Sequence, residues 1–320
     1  MKAFAIFLLF ITVNVFAVNP TWMTPTKVGV SAFAVNDYSQ YPPGTSSLSR
    51  SILHKDTFID TLFSALNVHY PSITKYVAYN YENSTATVSN YKGAQLYHSE
   101  FVFFSGHGNQ QKIGLYDYPM TVSEGCAGDT CNVTNYGKVY GGDIRWVIFD
   151  ACLVLNVNQN NMLHLPLSAT TIDFTKVNKI LSVFRGVHAI LGFYSLSWEK
   201  AFVDSGTGTV ILGSENLYKY FVKYFIEDGE TIWDAFNDAN EDLYNEFDYI
   251  YMLLYGDHVE GLKPAIAFLD GYDANGLHHN TSIETFDSTF NQPISIPIPP
   301  FSGSLQMGIM SNEHGSPEYY

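Results

Sequence analysis

Two short segments of the sequence place a reactive side chain directly after an apolar run. Residues 101–108, FVFFSGHG, carry His107 between two glycines, and residues 145–152, RWVIFDAC, end with Cys152. A thiol is a strong nucleophile as the thiolate, and a nearby imidazole supplies a base or an ion-pair partner. These residue types therefore point to nucleophilic catalysis, with Cys152 as the nucleophile and His107 as its partner.

The apolar runs before both residues have the composition of strands buried in a parallel sheet. Neither run alternates apolar and polar residues, as a half-exposed strand would. Because the carboxyl ends of parallel strands share one edge, where ligands bind, we expect His107 and Cys152 at the same edge. If the two strands are neighbours, about 4.8 Å apart, the ring and the thiol can face each other. The backbone N–H of Gly108, with that of Cys152, would then stabilise an oxyanion.

The remaining pattern predicts a single α/β domain over residues 18–290. Strands alternate with helices along the chain, which is typical of a mostly parallel sheet. The further strands are predicted at 27–35, 75–83, 187–195 and 248–257, and the helices at 56–66, 173–184 and, split at Asp228-Gly229, 214–246. Residues 291–320 are rich in proline and predict a C-terminal tail or an extension of the sheet edge.

Residues 1–17 predict a secretory signal peptide. One lysine precedes an apolar run from Ala3 to Val15, and the small residue Ala17 suits cleavage. The run is shorter than the ~20 apolar residues that a membrane span needs. We therefore expect a secreted protein that has no membrane association once the signal is removed.

Cysteine use and charge narrow the class of protein further. In an oxidising compartment, Cys126 and Cys131 are natural disulfide partners, which leaves Cys152 as the free thiol. The chain carries 31 acidic and 16 basic side chains, a formal charge of -15. Nucleic acid is therefore a poor partner, and a basic substrate would be attracted. The sequence contains neither a phosphate-binding glycine loop nor a zinc-spaced set of ligands, so we expect no cofactor and no metal.

The two motifs resemble those of the caspase-like cysteine peptidases, a group that includes caspases, metacaspases, legumain and gingipains. Ser105-Gly106-His107-Gly108 is similar to the group's His-Gly motif, and Asp150-Ala151-Cys152 is similar to the motif that ends in the nucleophile, here 45 positions after the histidine. The resemblance covers roughly residues 27–270 in the order of strands and helices. It implies a three-layer α/β/α fold and cleavage of peptide bonds through a thioester, with a protein or peptide as the substrate.

The resemblance also implies a role for Asp150. The residue two positions before the nucleophile lines the specificity pocket in several members of the group, and an anionic pocket prefers Arg or Lys before the scissile bond. The alternative is that Asp150 caps the end of its strand or pairs with Arg145.

A second alternative concerns the activity itself. The group has a small or glycine-containing turn after the nucleophile, whereas Cys152 is followed by Leu-Val-Leu. Those apolar residues would draw the thiol into the core, and burial there would raise its pKa and quench it. The chain would then be a catalytically inactive protein of the same fold that acts as a secreted binding or surface protein.

Overall fold

A computed structural model describes residues 26–93, 96–121, 144–156, 173, 189–197, 199–256, 264–270, 285–287, 306–310 and 318–319. Within these ranges the strands are β1 Lys27–Ala34, β2 Thr74–Glu82, β3 Phe101–Ser105, β4 Gly108–Asn109, β5 Lys112–Gly114, β6 Pro119–Thr121, β7 Trp146–Asp150, β8 Ala189–Phe193, β9 Ala201–Val203, β10 Val210–Gly213, β11 Ile266–Asp270, β12 Gln306–Met310 and β13 Glu318–Tyr319. The α-helices are α1 Ser51–His69, α2 Val88–Gly93, α3 Asn216–Val222 and α4 Ile232–Tyr255.

Eight of the strands form one sheet, in the order β13-β12-β11-β8-β7-β3-β1-β2. The five strands from β8 to β2 run parallel, and β11, β12 and β13 add antiparallel pairs at the other side. The small strands β4, β5 and β6 form a separate sheet directly after β3, and β9 pairs with β10. The predicted α/β class with a mostly parallel central sheet flanked by helices is confirmed.

The central strands are buried on both faces, which explains their unbroken apolar runs. Every residue of β3, β7 and β8 is buried. Phe101 and Phe103 enter a hydrophobic cluster with α1, α3 and α4, whereas Val102 and Phe104 enter a second cluster that includes Tyr91 of α2. Alternate side chains of one strand therefore fill two separate layers of the core.

The region 214–246 contains two helices, as predicted, but the strand predicted at 248–257 is wrong. A π-helical turn, Lys223–Glu227, continues α3 to a break at Asp228-Gly229, where Gly229 has φ 73°. The following helix α4 runs on to Tyr255 and ends at Gly256, which also has φ 73°. The segment is helical because it continues a helix whose preceding turn is buried at Leu243 and Phe247. Its last residues are exposed, so its strand propensity is not supported by burial in a sheet.

Other predictions fall on different bounds or outside the described residues. The helix predicted at 56–66 begins earlier, at Ser51, and runs to His69. Residues 1–17, the helix at 174–184 and the pair Cys126 and Cys131 lie outside the described residues. Among the helices that are described, none has both the length and the apolar character needed to cross a bilayer.

Phe58 of α1 provides a test of the core. Its side chain is fully buried and stacks on Phe103 with the ring centroids 4.8 Å apart. We expect Phe58→Ala to lower the free energy of unfolding by about 3–5 kcal/mol, because it leaves a cavity at the centre of the α1 interface. Val68 on the same helix is 71% exposed, so Val68→Ala should change the free energy of unfolding by no more than about 0.5 kcal/mol. Equal effects of the two substitutions in urea unfolding would contradict this packing.

Candidate active site

The turns that carry His107 and Cys152 are held together by their backbones. Strands β3 and β7 are neighbours, and their register sets Ser105 opposite Asp150 at the carboxyl end. Just beyond this point, the N–H of Gly106 donates to the carbonyl oxygen of Asp150 at 3.1 Å. Further along, the N–H of Gln111 donates to the carbonyl oxygen of Val154 at 3.2 Å. The predicted meeting of the two turns at one edge of the sheet is therefore present in the fold.

Gly108 is the point of closest approach between the turns. A Cβ atom at this position would lie 2.5 Å from the carbonyl oxygen of Cys152 and 2.7 Å from Cβ of Ala151. Both atoms belong to a packed turn that cannot swing aside, so any larger residue must push the turns apart. The glycine thus allows the contact that keeps the histidine turn against the cysteine turn.

The imidazole of His107 is held by residues that follow β1. Its Nε2 atom lies 2.7 Å from the carbonyl oxygen of Ser46, and its backbone N–H donates to the Tyr38 hydroxyl at 2.6 Å. The Tyr38 ring also packs on the imidazole, with centroids 4.5 Å apart. Because a carbonyl oxygen can only accept, Nε2 carries the hydrogen, and Nδ1 of the neutral ring keeps its lone pair. The ring is therefore fixed in the tautomer whose Nδ1 can accept a proton.

The thiol of Cys152 is free and half-buried, and it contacts the segment that follows β8. The N–H of Ser197 donates to Sγ at 3.3 Å, and the Ser197 hydroxyl oxygen lies 3.7 Å from Sγ. Burial raises the pKa of the thiol, although the hydrogen bonds from Ser197 oppose this. Among the hydrogen bonds of the described residues, none joins this thiol to the imidazole of His107. The two side chains contact opposite flanks of the same edge, the ring toward β1 and the thiol toward β8.

The residue after the cysteine has a backbone conformation that usually favours glycine. Leu153 has φ 61°, in the left-handed region that non-glycine residues rarely adopt. Its N–H donates to the carbonyl oxygen of Ser195 at 2.9 Å, while Val154 and Leu155 are buried. The apolar residues thus anchor the turn and leave the thiol half-buried. Strain of this kind is concentrated at functional sites.

Asp150 lies beneath the turns rather than on an open surface. It is 6% exposed, and its Oδ2 atom is 2.6 Å from Nδ1 of His54 and accepts a bond from the Ser105 hydroxyl at 2.5 Å. Burial alone would raise the pKa of this carboxyl, but the charge and hydrogen bond of His54, with the Ser105 hydroxyl, hold it below its usual value. Of the two residues, His54 is the one that contacts the Asp150 carboxylate in the described part of the chain, whereas Arg145 precedes the other end of β7.

A small cavity adjoins Asp150 on the face of the sheet covered by α3 and α4. Its volume is about 10 Å³, the space of about one water molecule. Its lining includes His54, Asp150, Ser214, Asn240 and Tyr244. In the part of the chain that the structure describes, no group of three or more His, Cys, Asp or Glu side chains could hold a metal ion.

Three residues of this region were not identified from the sequence: Tyr38, His54 and Ser214. His54 does carry a signal, since it lies four residues before Phe58 and eight before Leu62 on the buried stripe of α1. A histidine in such a stripe needs a polar partner inside the protein. Tyr38 and Ser214 carry no comparable signal, because only the folded chain brings them to the site.

Comparisons with known proteins give no sequence match and a distant structural likeness. Neither a protein-family model nor a curated protein sequence matches this chain. Among solved structures, the chain is similar to the crystal structure of gingipain R, an Arg-specific cysteine proteinase, with a TM-score of 0.40 and 11% identity. The match covers 72% of this chain but 44% of the gingipain chain, so this chain spans less than half of that protein. A likeness this distant carries no argument about residues or activity.

Gly108 provides a direct test of the contact between the turns. We expect Gly108→Ala to lower the free energy of unfolding by about 1–3 kcal/mol, because the new methyl group overlaps the Cys152 carbonyl. It should also change the alkylation rate of Cys152, since the turn that carries the thiol must move. The control is Gly206→Ala on an exposed turn, where the nearest atom is 3.3 Å away on a side chain. A Gly108→Ala variant with the stability and thiol reactivity of the parent would contradict the contact.

Proposed function

We propose that the protein is a cysteine peptidase in which Cys152 attacks the peptide carbonyl and His107 transfers the protons. The observation that carries this proposal is the pairing of the two turns at one edge of the sheet, with the His107 ring held as the Nε2–H tautomer by Ser46. A base with a fixed ring and a lone pair on the other nitrogen is what proton transfer from a thiol requires.

The chemistry would proceed in two steps. The raised pKa of Cys152 keeps the thiol protonated at rest, so Nδ1 of His107 must take its proton as the sulfur attacks. The bond from sulfur to the carbonyl carbon forms, the proton passes to the leaving amine, and the C–N bond breaks to leave a thioester. Water then adds to the thioester carbon while His107 takes a proton from it, the C–S bond breaks to release the carboxylic acid, and His107 returns the proton to the sulfur. The first step needs the Cys152 side chain to leave Ser197 and turn toward the imidazole.

The backbone at Gly108 is the candidate for stabilising the oxyanion. The absence of a side chain lets the peptide approach the Cys152 turn closely, and an N–H aimed at the developing charge lowers the barrier in a site that excludes water. The N–H of Cys152 itself is the second candidate donor. This assignment and the substrate class, a protein or peptide, belong to the proposal.

We further propose a preference for Arg or Lys before the scissile bond, through the charge of Asp150. The support is that this carboxyl keeps a lowered pKa despite its burial and borders a cavity. A basic side chain is far larger than the space of one water molecule, so the cavity must widen when a substrate binds.

Secretion after removal of residues 1–17, and a disulfide between Cys126 and Cys131, complete the proposal.

The second candidate is an inactive protein of the same fold that acts by binding. The contact of the Cys152 thiol with Ser197 favours it, as does the raised pKa of that thiol. In this case the edge of the sheet would hold a ligand without cleaving it. The two candidates differ in whether His107 affects the reactivity of Cys152.

Loss of peptidase activity tests the catalytic pair. On a set of fluorogenic peptides, we expect His107→Ala to lower kcat/KM by about 10²–10⁴, the contribution of a positioned acid–base group. Cys152→Ser removes the nucleophilic thiol and should lower kcat/KM at least as much. His69→Ala, on an exposed position at the end of α1, should leave the activity unchanged. Full activity in either of the first two variants would eliminate this mechanism.

Substrate choice tests the role of Asp150. We expect peptides with Arg or Lys before the bond to be cleaved faster than those with Asp, by about tenfold to a hundredfold, the value of a hydrogen bond to a charged group. Asp150→Asn keeps the size of the side chain but removes its charge, so the preference should disappear. A thermal unfolding curve checks that the variant is folded. Equal rates on basic and acidic peptides in the unchanged protein would refute the preference.

A further inference from the structure

A chain of four buried side chains lies directly beneath the candidate active site. It runs from Ser105 to Asp150, then to His54 and finally to Ser214. The members come from β3, β7, α1 and the turn between β10 and α3. Each of them is less than a tenth exposed. Four distant parts of the chain are therefore joined by polar contacts where water does not enter freely.

Two of these four residues stand next to the reactive ones. Ser105 precedes the Gly106-His107 turn, and Asp150 lies two positions before Cys152. The Ser105 hydroxyl donates to the Asp150 carboxylate, so this contact crosses from one turn to the other. A contact that fixes the position of Asp150 therefore also fixes the first residues of both turns.

His54 is the residue that fixes Asp150. Its Nδ1 atom lies 2.6 Å from the Asp150 carboxylate, and its Nε2 atom lies 2.9 Å from the Ser214 hydroxyl. A carboxylate only accepts, so Nδ1 carries the hydrogen. The backbone N–H of Ser214 donates to the carbonyl oxygen of Lys200 at 2.9 Å, which anchors the far end of the chain of contacts. Both nitrogens of the ring are thus held from opposite sides.

The charged surroundings of His54 leave Asp150 as its partner. Glu215 also lies within electrostatic reach of the ring, but the Arg50 guanidinium binds that carboxylate, with Nε at 2.9 Å. From α3, the Tyr218 ring packs on the imidazole with centroids 5.8 Å apart. Since the Arg50 guanidinium already pairs with Glu215, Asp150 is the buried carboxylate that His54 pairs with. An unpaired carboxylate at this depth would be costly.

The order of Ser214, His54 and Asp150 is that of a nucleophilic serine with its base and its orienting carboxylate. Access argues against that role. Ser214 and His54 are each 3% exposed, so in the resting fold the Ser214 hydroxyl is closed to an acyl group. The arrangement is therefore suited to holding a carboxylate rather than to attacking a substrate.

We propose that His54 and Ser214 are positioning residues, which hold Asp150 so that Ser105 and Asp150 keep the His107 and Cys152 turns in register. The effect on catalysis rests on the proposed function, whereas the effect on the fold does not. Replacement of His54 should weaken the contact between the turns while it leaves the side chains of His107 and Cys152 themselves unchanged.

The experiment compares His54→Leu, which removes both polar contacts, with His54→Asn, whose amide N–H can still donate to Asp150. His69→Asn on the exposed end of α1 is the control. We expect kcat to fall by about tenfold to a hundredfold in His54→Leu, the effect of misplacing reacting groups by on the order of 1 Å. His54→Asn should recover most of that loss.

The pH dependence of unfolding gives a readout that simple loss of packing would not change. A carboxyl whose pKa is lowered in the folded protein stabilises the fold at pH values above its unfolded pKa of about 3.9. That stabilisation is lost as the pH falls through the pKa of the folded state. In His54→Leu the buried carboxyl loses the group that lowers its pKa. The stability difference from the unchanged protein should therefore be largest near neutral pH and shrink as the pH falls below about 4.

Each outcome decides the proposal. A stability difference that does not vary with pH, together with His54→Asn no better than His54→Leu, would overturn it. Modification of Ser214 by a fluorophosphonate, lost in His54→Asn, would also overturn it, because Ser214 would then be a nucleophile. If the unchanged protein cleaves no peptide while the pH-dependent difference is observed, the proposed function fails and the positioning role is retained. If His54→Leu does not fold, Ser214→Ala and His54→Asn provide the same comparison.

Discussion

The parallel pairing of β3 with β7 is the constraint on which the candidate site depends. It sets Ser105 opposite Asp150, so the two turns that follow must leave the sheet side by side. The bond from the Gly106 N–H to the Asp150 carbonyl extends this pairing past the strands, and Gly108 allows the turns to touch. A shift of one residue in the register would reverse the faces of the strands and separate the histidine from the cysteine. The placing of His107 and Cys152 is thus a consequence of how two buried strands pair.

The fold positions the two reactive side chains without joining them. The loop after β1 holds the imidazole through Ser46 and Tyr38, and the segment after β8 holds the thiol through Ser197. Each side chain is therefore held by the segment that follows the neighbouring strand, β1 for the imidazole and β8 for the thiol. The backbones of the two turns contact each other between these side chains. The proposed mechanism requires one rotation, that of the thiol toward the imidazole. The buried contacts of Asp150 keep the frame fixed while this happens.

The sequence was sufficient to predict the class of fold and the positions of the two turns, because both follow from local patterns. Unbroken apolar runs indicate strands buried on both faces, and His107 and Cys152 come directly after such runs. The partners of Asp150 could not be predicted, since His54 lies 96 positions away and Ser214 lies 160 positions beyond His54. The strand predicted at 248–257 failed for the opposite reason. Its local composition favours a strand, but α4 had already begun and nothing before Gly256 ends it.

The most direct measurement of the central claim is the alkylation rate of Cys152 by iodoacetamide as a function of pH, with the modified residue located by mass spectrometry. If the His107 imidazole accepts the thiol proton, the unchanged protein should react at neutral pH, and faster there than a variant without the ring. In His107→Ala the reaction at neutral pH should be lost, and the rate should rise only above the ordinary pKa of a thiol, because burial raises the pKa of Cys152. Identical profiles for the two proteins would contradict the claim that these two groups act together.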